Sequence, residues 1–192
     1  MRLILLFFVG TILTLWAGDA EDLTQTMQEK VLFITDVLAD KALPKEQKKS
    51  KIEEAINPLF DYTLMARLSL GKKEWKELEV AKRKEYAGLF ERRIKDSYLN
   101  KLDLYTDEEV VVESAVQTKL TRIEVPTMIL TKTDKIEMLY KFYHSKKGIW
   151  LIYDVKIAGV SIVQTYRAQF IEILKSKTVF ELIDQLKSSE SL

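Results

Sequence analysis

The feature that most limits how this 192-residue chain can fold is a change of hydrophobic period near Asp107. Before it, apolar residues recur at every third or fourth position; after it, they alternate. Met27, Val31, Ile34 and Leu38 follow 4-3-4 spacing, and Tyr86, Phe90, Ile94, Tyr98 and Leu102 recur at every fourth residue, which is the spacing of one helix face. Val110, Val111 and Val112, then Leu120, Ile123, Val125, Met128 and Leu130, predict two or three strands. Ile136, Met138, Tyr140, Phe142 and His144 alternate in a further one, because strand side chains point to two faces in turn. The helical period then returns with Val163, Tyr166, Phe170 and Leu174. A chain that runs helical, alternating and helical again is α+β.

The punctuation refines this order. Pro44 ends the first helix or opens a short charged one over Lys45 to Ile56, with Ile52 and Ile56 on one side. Asn57-Pro58 reads as an N-cap followed by proline at the first helical position. That helix carries Tyr62, Met65 and Leu68, and Gly71 is its left-handed stop. The longest helix is expected over roughly 78–103. Pro126 marks an edge, a bulge or a break between strands. Lys146-Lys147-Gly148 makes a turn, Trp150 to Ala158 the last strand, and Gly159 breaks it. Ser161 to Gln164 and Thr178 to Glu181 both have capping-box spacing, so a helix should start at each. The expected architecture is N-terminal helices, one curved antiparallel sheet of about four strands, and C-terminal helices, with the helices packed on one face.

The N-terminus has a different character. Arg2 is followed by an almost wholly apolar run from Leu3 to Ala17, then Gly18-Asp19-Ala20. About 15 apolar residues are few for a bilayer span but fit the apolar region of a signal peptide, and Gly18 and Ala20 suit a cut after Ala20. The expectation is a cleaved signal peptide over residues 1–20 and one domain over 21–192. Removing Arg2 and Asp19 together leaves the net charge at +1. No cysteine follows the apolar run, so a lipoprotein anchor is excluded.

Composition excludes several chemistries. There is no cysteine and a single histidine, which removes disulfides, thiol nucleophiles and the usual clusters of soft metal ligands. With 30 basic against 29 acidic residues, the chain lacks the charge excess of a nucleic-acid binder. No P-loop, G-x-S-x-G or G-x-G-x-x-G is present. Two groups remain as conceivable acid–base residues. His144 alternates with apolar neighbours, which suits an ordinary strand residue. Asp154, between Tyr153 and Val155, is either a carboxylate in a cavity or an outward group paired to Lys or Arg. Eight Tyr, eight Phe and five Met form a large apolar load at inward spacings. Periodicity is the same for a solid core and for a sheet and helices that stand apart around a pocket.

Two segments carry a resemblance. Phe60-Asp-Tyr-Thr-Leu-Met-Ala-Arg-Leu-Ser-Leu-Gly71 resembles a segment of the MlaC, or toluene-tolerance auxiliary, family that reads roughly F-D-F-x-x-M-A-R-x-x-L-G. Trp150-Leu-Ile-Tyr-Asp-Val-Lys-Ile-Ala-Gly-Val-Ser-Ile-Val-Gln-Thr-Tyr-Arg-Ala-Gln-Phe170 is similar to that family's W-x-V-Y-D-V-x-I-x-G-V-S-L-V-x-N-Y-R-x-Q-F. Order and spacing agree over nearly all of the chain past residue 20. Two departures are the lysine-rich stretch Lys72 to Lys84 and Thr165, where Asn is common.

The resemblance implies a periplasmic phospholipid carrier of Gram-negative bacteria, without a cofactor and not an enzyme. Its partners would be an outer-membrane lipoprotein–porin complex and an inner-membrane ABC transporter with an MCE-domain ring, and its task the maintenance of outer-membrane lipid asymmetry. The implied fold is related to nuclear-transport-factor-two-like domains, with acyl chains in an apolar cavity between sheet and helices. Expected cavity residues are Met65, Leu68, Phe90, Tyr98, Tyr140, Phe142, Tyr153, Val160, Val163, Tyr166 and Phe170. Arg67 and Arg167 lie in the matched segments and are expected at the mouth, facing phosphate, with a structural ion pair or helix cap as their other reading. A two-chain lipid has roughly 30 methylenes, on the order of 25 kcal/mol at ~0.8 each if exposed to water, so a carrier must cover both tails. The competing readings are a small-substrate isomerase or hydratase using Asp154 or His144, and an interaction module without ligand.

Overall fold

The computed structural model describes residues 14–98 and 108–188. The chain order is α1 (Thr14–Ala39), α2 (Lys45–Ile56), a 3-10 turn (Asn57–Leu59), α3 (Tyr62–Leu70), α4 (Lys72–Glu77) and α5 (Val80–Tyr98). Then come β1 (Glu109–Val112), β2 (Val116–Lys119), β3 (Arg122–Leu130), β4 (Lys135–His144), β5 (Trp150–Ile157), β6 (Val160–Ser161), α6 (Ile162–Ile173) and α7 (Val179–Lys187). The α+β order is as the period change predicts, with six strands instead of about four, because three short ones, β1, β2 and β6, flank the three long ones. The C-terminal end of the helix expected over 78–103, with Leu102, lies outside the described residues, as do residues 1–13 of the expected signal peptide. Among the described helices α1, at 26 residues, exceeds α5, at 19.

The sheet is antiparallel throughout, in the order β1-β3-β4-β5-β6, and β2 pairs with β3 beside β1. Ile123, Val125, Thr127 and Ile129 lie opposite Phe142, Tyr140, Met138 and Ile136; these share the inner face, against which the helices pack. Pro126 stands inside β3, where β1 ends and β2 has not begun. Its carbonyl accepts from the Glu113 N–H at 3.0 Å just past the end of β1, and its nitrogen has no proton to give to a ladder. The break that Pro126 predicts thus falls in the neighbouring edge. A bulge at Tyr153 shifts the β4–β5 register and bends the strand.

Two connections correct the sequence reading. Asn57 does not cap α3: Asn57-Pro58-Leu59 close a separate 3-10 turn, and the α3 cap is Asp61, whose carboxylate accepts from the Leu64 N–H at 2.8 Å. The other Asp61 oxygen takes the Tyr143 hydroxyl, and the Asp61 N–H donates to Ile152 at 2.9 Å. One residue therefore ties α3 to two strands. Gly159 does more than break β5. Ala158 and Gly159 both have positive φ, 48° and 80°, so they form a two-residue turn whose twist matches a hairpin, and β6 pairs back onto β5. Ser161 and Thr178 cap α6 and α7 as the spacing predicts, and Thr178 with Glu181 makes the full reciprocal box.

Asp154 is neither of the two things the sequence allowed. It is buried, 6% exposed, and its carboxylate accepts from Ser161 Oγ at 2.8 Å and from the Val163 N–H at 3.2 Å. The negative charge thus closes the N-terminus of α6, where unpaired N–H groups and the helix dipole favour it.

Candidate functional site

The apolar residues that the helices and sheet turn inward do not all meet. Between α1, α2, α3 and the end of α5 on one side and the inner sheet face on the other lies a cavity of about 310 Å³. Helix α1 contributes Met27, Val31, Ile34 and Leu38, the residues of its 4-3-4 stripe, and α2 contributes Ile52 and Ile56. The sheet side is Val110, Ile129, Ile136, Met138, Val155 and Ile157 with Thr127 and Tyr140 among them. Its size is at the lower end of ligand cavities, and its lining is more aliphatic than most.

Few polar groups interrupt this wall. Lys30 and Thr35 come from α1, Lys95 and Tyr98 from α5, and Glu108 from the approach to β1. Lys95 pairs with Glu91 at 2.6 Å and lies over the Tyr62 ring, 5.2 Å from its centroid. The wall phenols stay protonated. Burial pushes Tyr140 up to about 12. Tyr62 rises through burial and then the nearby Glu91 and Glu53 carboxylates, and Tyr98 through burial. Its charged lining groups are therefore Lys30, Lys95 and Glu108. A second hollow, of about 380 Å³, lies on the opposite sheet face among Pro126, Met128, Glu137 and Lys156; its lining is mixed in charge.

Among the residues expected at the cavity, Met65, Tyr98 and Tyr140 stand on its wall. Phe90, Tyr166 and Phe170 instead close a solid cluster with Tyr86, at centroid separations of 5.3–6.3 Å. These large rings from α5 and α6 meet one another and fill the space between the two helices. Phe142 and Val163 are fully buried in the packed core. Leu68 packs against that core from α3. Tyr153 lies on the outer sheet face, where Arg122 stacks over its ring at 5.2 Å, and Val160 is 61% exposed in the β5–β6 hairpin.

The two arginines are not on the cavity wall either. Arg67 is exposed on α3. Arg167 donates from Nη1 to the Leu68 carbonyl at 3.0 Å, capping the C-terminal end of α3. There Gly71 has φ +99°, a conformation that favours glycine, and an added Cβ would stand 3.2 Å from the guanidinium, so the arginine would have to give way as well. His144 is exposed at the sheet end with its ring 5.0 Å from that of Trp150. Neither His144 nor Asp154 reaches the cavity. Among the described residues no group of His, Asp or Glu is placed to hold a metal ion, and no described helix is long and apolar enough to cross a membrane.

A family model described as "MlaC protein" matches residues 25–188. A solved structure from Ralstonia solanacearum, described as a phospholipid-binding protein in complex with a phospholipid, is similar in fold with a TM-score of 0.74 and 20% sequence identity. The match covers 86% of this chain and 94% of that one. No curated protein matches the chain.

Proposed function

Because this chain belongs to the MlaC family, we propose that it binds and transports phospholipid, holding the acyl chains in the cavity between α1, α2 and the sheet. The observation that carries this is the lining: an aliphatic wall with few polar groups suits hydrocarbon, and neither His144 nor Asp154 stands on it to serve a small substrate. The similar fold of a protein solved with a phospholipid supports the same reading. Loading from a bilayer moves each tail from one apolar medium to another, so both capture and release need little free energy. The chain has no nucleotide-binding motif, so direction comes from its partners.

The finer proposal is a periplasmic shuttle between an outer-membrane lipoprotein–porin complex and an inner-membrane ABC transporter with an MCE ring, serving outer-membrane asymmetry. Export would use residues 1–20 as a signal peptide; the family match starts downstream of the expected cut, at residue 25. Lys30 and Lys95 are the cations of the wall and replace Arg67 and Arg167 as the groups proposed to face phosphate. The test is native mass spectrometry of protein purified from a periplasmic extract, with lipid extraction of the same sample. A stoichiometric diacyl phospholipid adduct is expected. Protein without adduct that also takes up no lipid from phosphatidylglycerol vesicles would overturn the reading.

A further inference from the structure

Two hydroxyls on the sheet side of the cavity have almost nothing to bond. Thr127 lines the cavity and is 3% exposed, and its Oγ1 is buried without a hydrogen-bond partner. The Tyr140 hydroxyl has only the Met138 sulfur, at 3.9 Å, and a thioether is a weak acceptor. The register brings the two together. Thr127 lies opposite Met138, and Tyr140 is the next inward residue of β4, opposite Val125, so the pair are diagonal neighbours within side-chain reach. Their other neighbours on that face, Val125, Ile129, Ile136 and Met138, offer no oxygen.

An unpaired buried hydroxyl destabilises a protein, and valine and phenylalanine would fill these places without that penalty. A single water bridging the two hydroxyls would have only those two partners among the neighbours on this face, the fewest a buried water takes. The phospholipid of the proposed function supplies the missing acceptor. Its tails have none and its phosphate is charged, but each acyl chain begins at an uncharged ester carbonyl. We propose that Thr127 and Tyr140 form a hydrogen-bonding station for ester carbonyls, fixing how deep the lipid sits and selecting ester-linked over ether-linked lipid. Tyr140 stays protonated and so remains a donor at neutral pH.

This inference rests on the phospholipid reading, and one experiment separates the two. Delipidated protein is offered an equimolar mixture of diacyl phosphatidylglycerol and its dialkyl ether analogue of equal chain length, and loading is read by native mass spectrometry. The wild type should favour the diacyl lipid about tenfold, Thr127→Val and Tyr140→Phe should each lose part of that preference, and the double variant all of it. Thermal melting of the empty proteins gives a second reading: Thr127→Val should melt at or above the wild-type temperature, since it removes an orphaned hydroxyl. Equal loading of both lipids by the wild type, or an unchanged preference in the double variant, overturns the station while leaving the carrier intact. Loading of neither lipid overturns both.

Discussion

Two apolar regions share this domain, and they differ in what they do with the same kind of residue. Around Tyr86, Phe90, Tyr166 and Phe170 the side chains are rings, stacked or edge-on, and the space is filled. The two hydroxyls there are satisfied, Tyr86 by Ser69 and Tyr166 by Ser97, each at 3.1 Å. Around Ile34, Ile52, Ile129 and Ile136 the side chains are aliphatic, the helices and sheet stand apart, and Thr127 is left without a partner. A rigid cluster at one end holds the helices together so that the other end can remain open. The packed region carries stability; the cavity forgoes the stability that filling it would add.

That contrast can be broken by truncation. Phe90→Ala should have the largest effect, about 3–5 kcal/mol in denaturant unfolding, because it adds a new void to a filled cluster. Ile136→Ala should lower stability much less, by about 1–2 kcal/mol, because its side chain already borders empty space and only the transfer contribution is lost. Equal losses in the two variants would mean that the cavity is a filled core in solution. The smallest effect belongs at the margin of the packed region, on α7. The Thr178 backbone N–H, and then its hydroxyl, hold Glu181 below the usual carboxylate value of 4.5. A lowered folded-state pKa contributes stability above the unfolded value and loses it as pH falls through the folded one. The difference in denaturant midpoint between wild type and Glu181→Gln should therefore be flat above about pH 5 and shrink below it.

The contrast also explains what could be read in the sequence. Helix and strand periods gave the elements because they report which side of an element turns inward. They do not report whether anything meets that side. Met27, Val31, Ile34 and Leu38 were legible as one helix face, yet only the separation of α1 from the sheet makes that face a wall. The residues nominated from the two matched segments came out differently for another reason. Much of what those segments encode is scaffold: Asp154 and Ser161 close the start of α6, and Arg167 closes the end of α3 beside Gly71. The side chains beside them in the second segment, such as Tyr166 and Phe170, belong to the filled cluster. Asp61 was hidden because Asn57-Pro58, four residues earlier, offers an equally good local start, and only the Tyr143 hydroxyl and the Ile152 carbonyl in the sheet favour the later one.

The seam at Pro126 has a consequence for self-association. A long exposed strand edge is a template on which another chain can add a strand. Here the outer edge of β3 is divided into two four-residue strands, β1 and β2, with proline at the gap. At the far side β6 offers two residues, and Phe60 and Asp61 close over β5 at Ile152. Neither margin presents a long unbroken ladder, so the sheet can leave an inner face open toward a cavity without inviting fibrils along its edges.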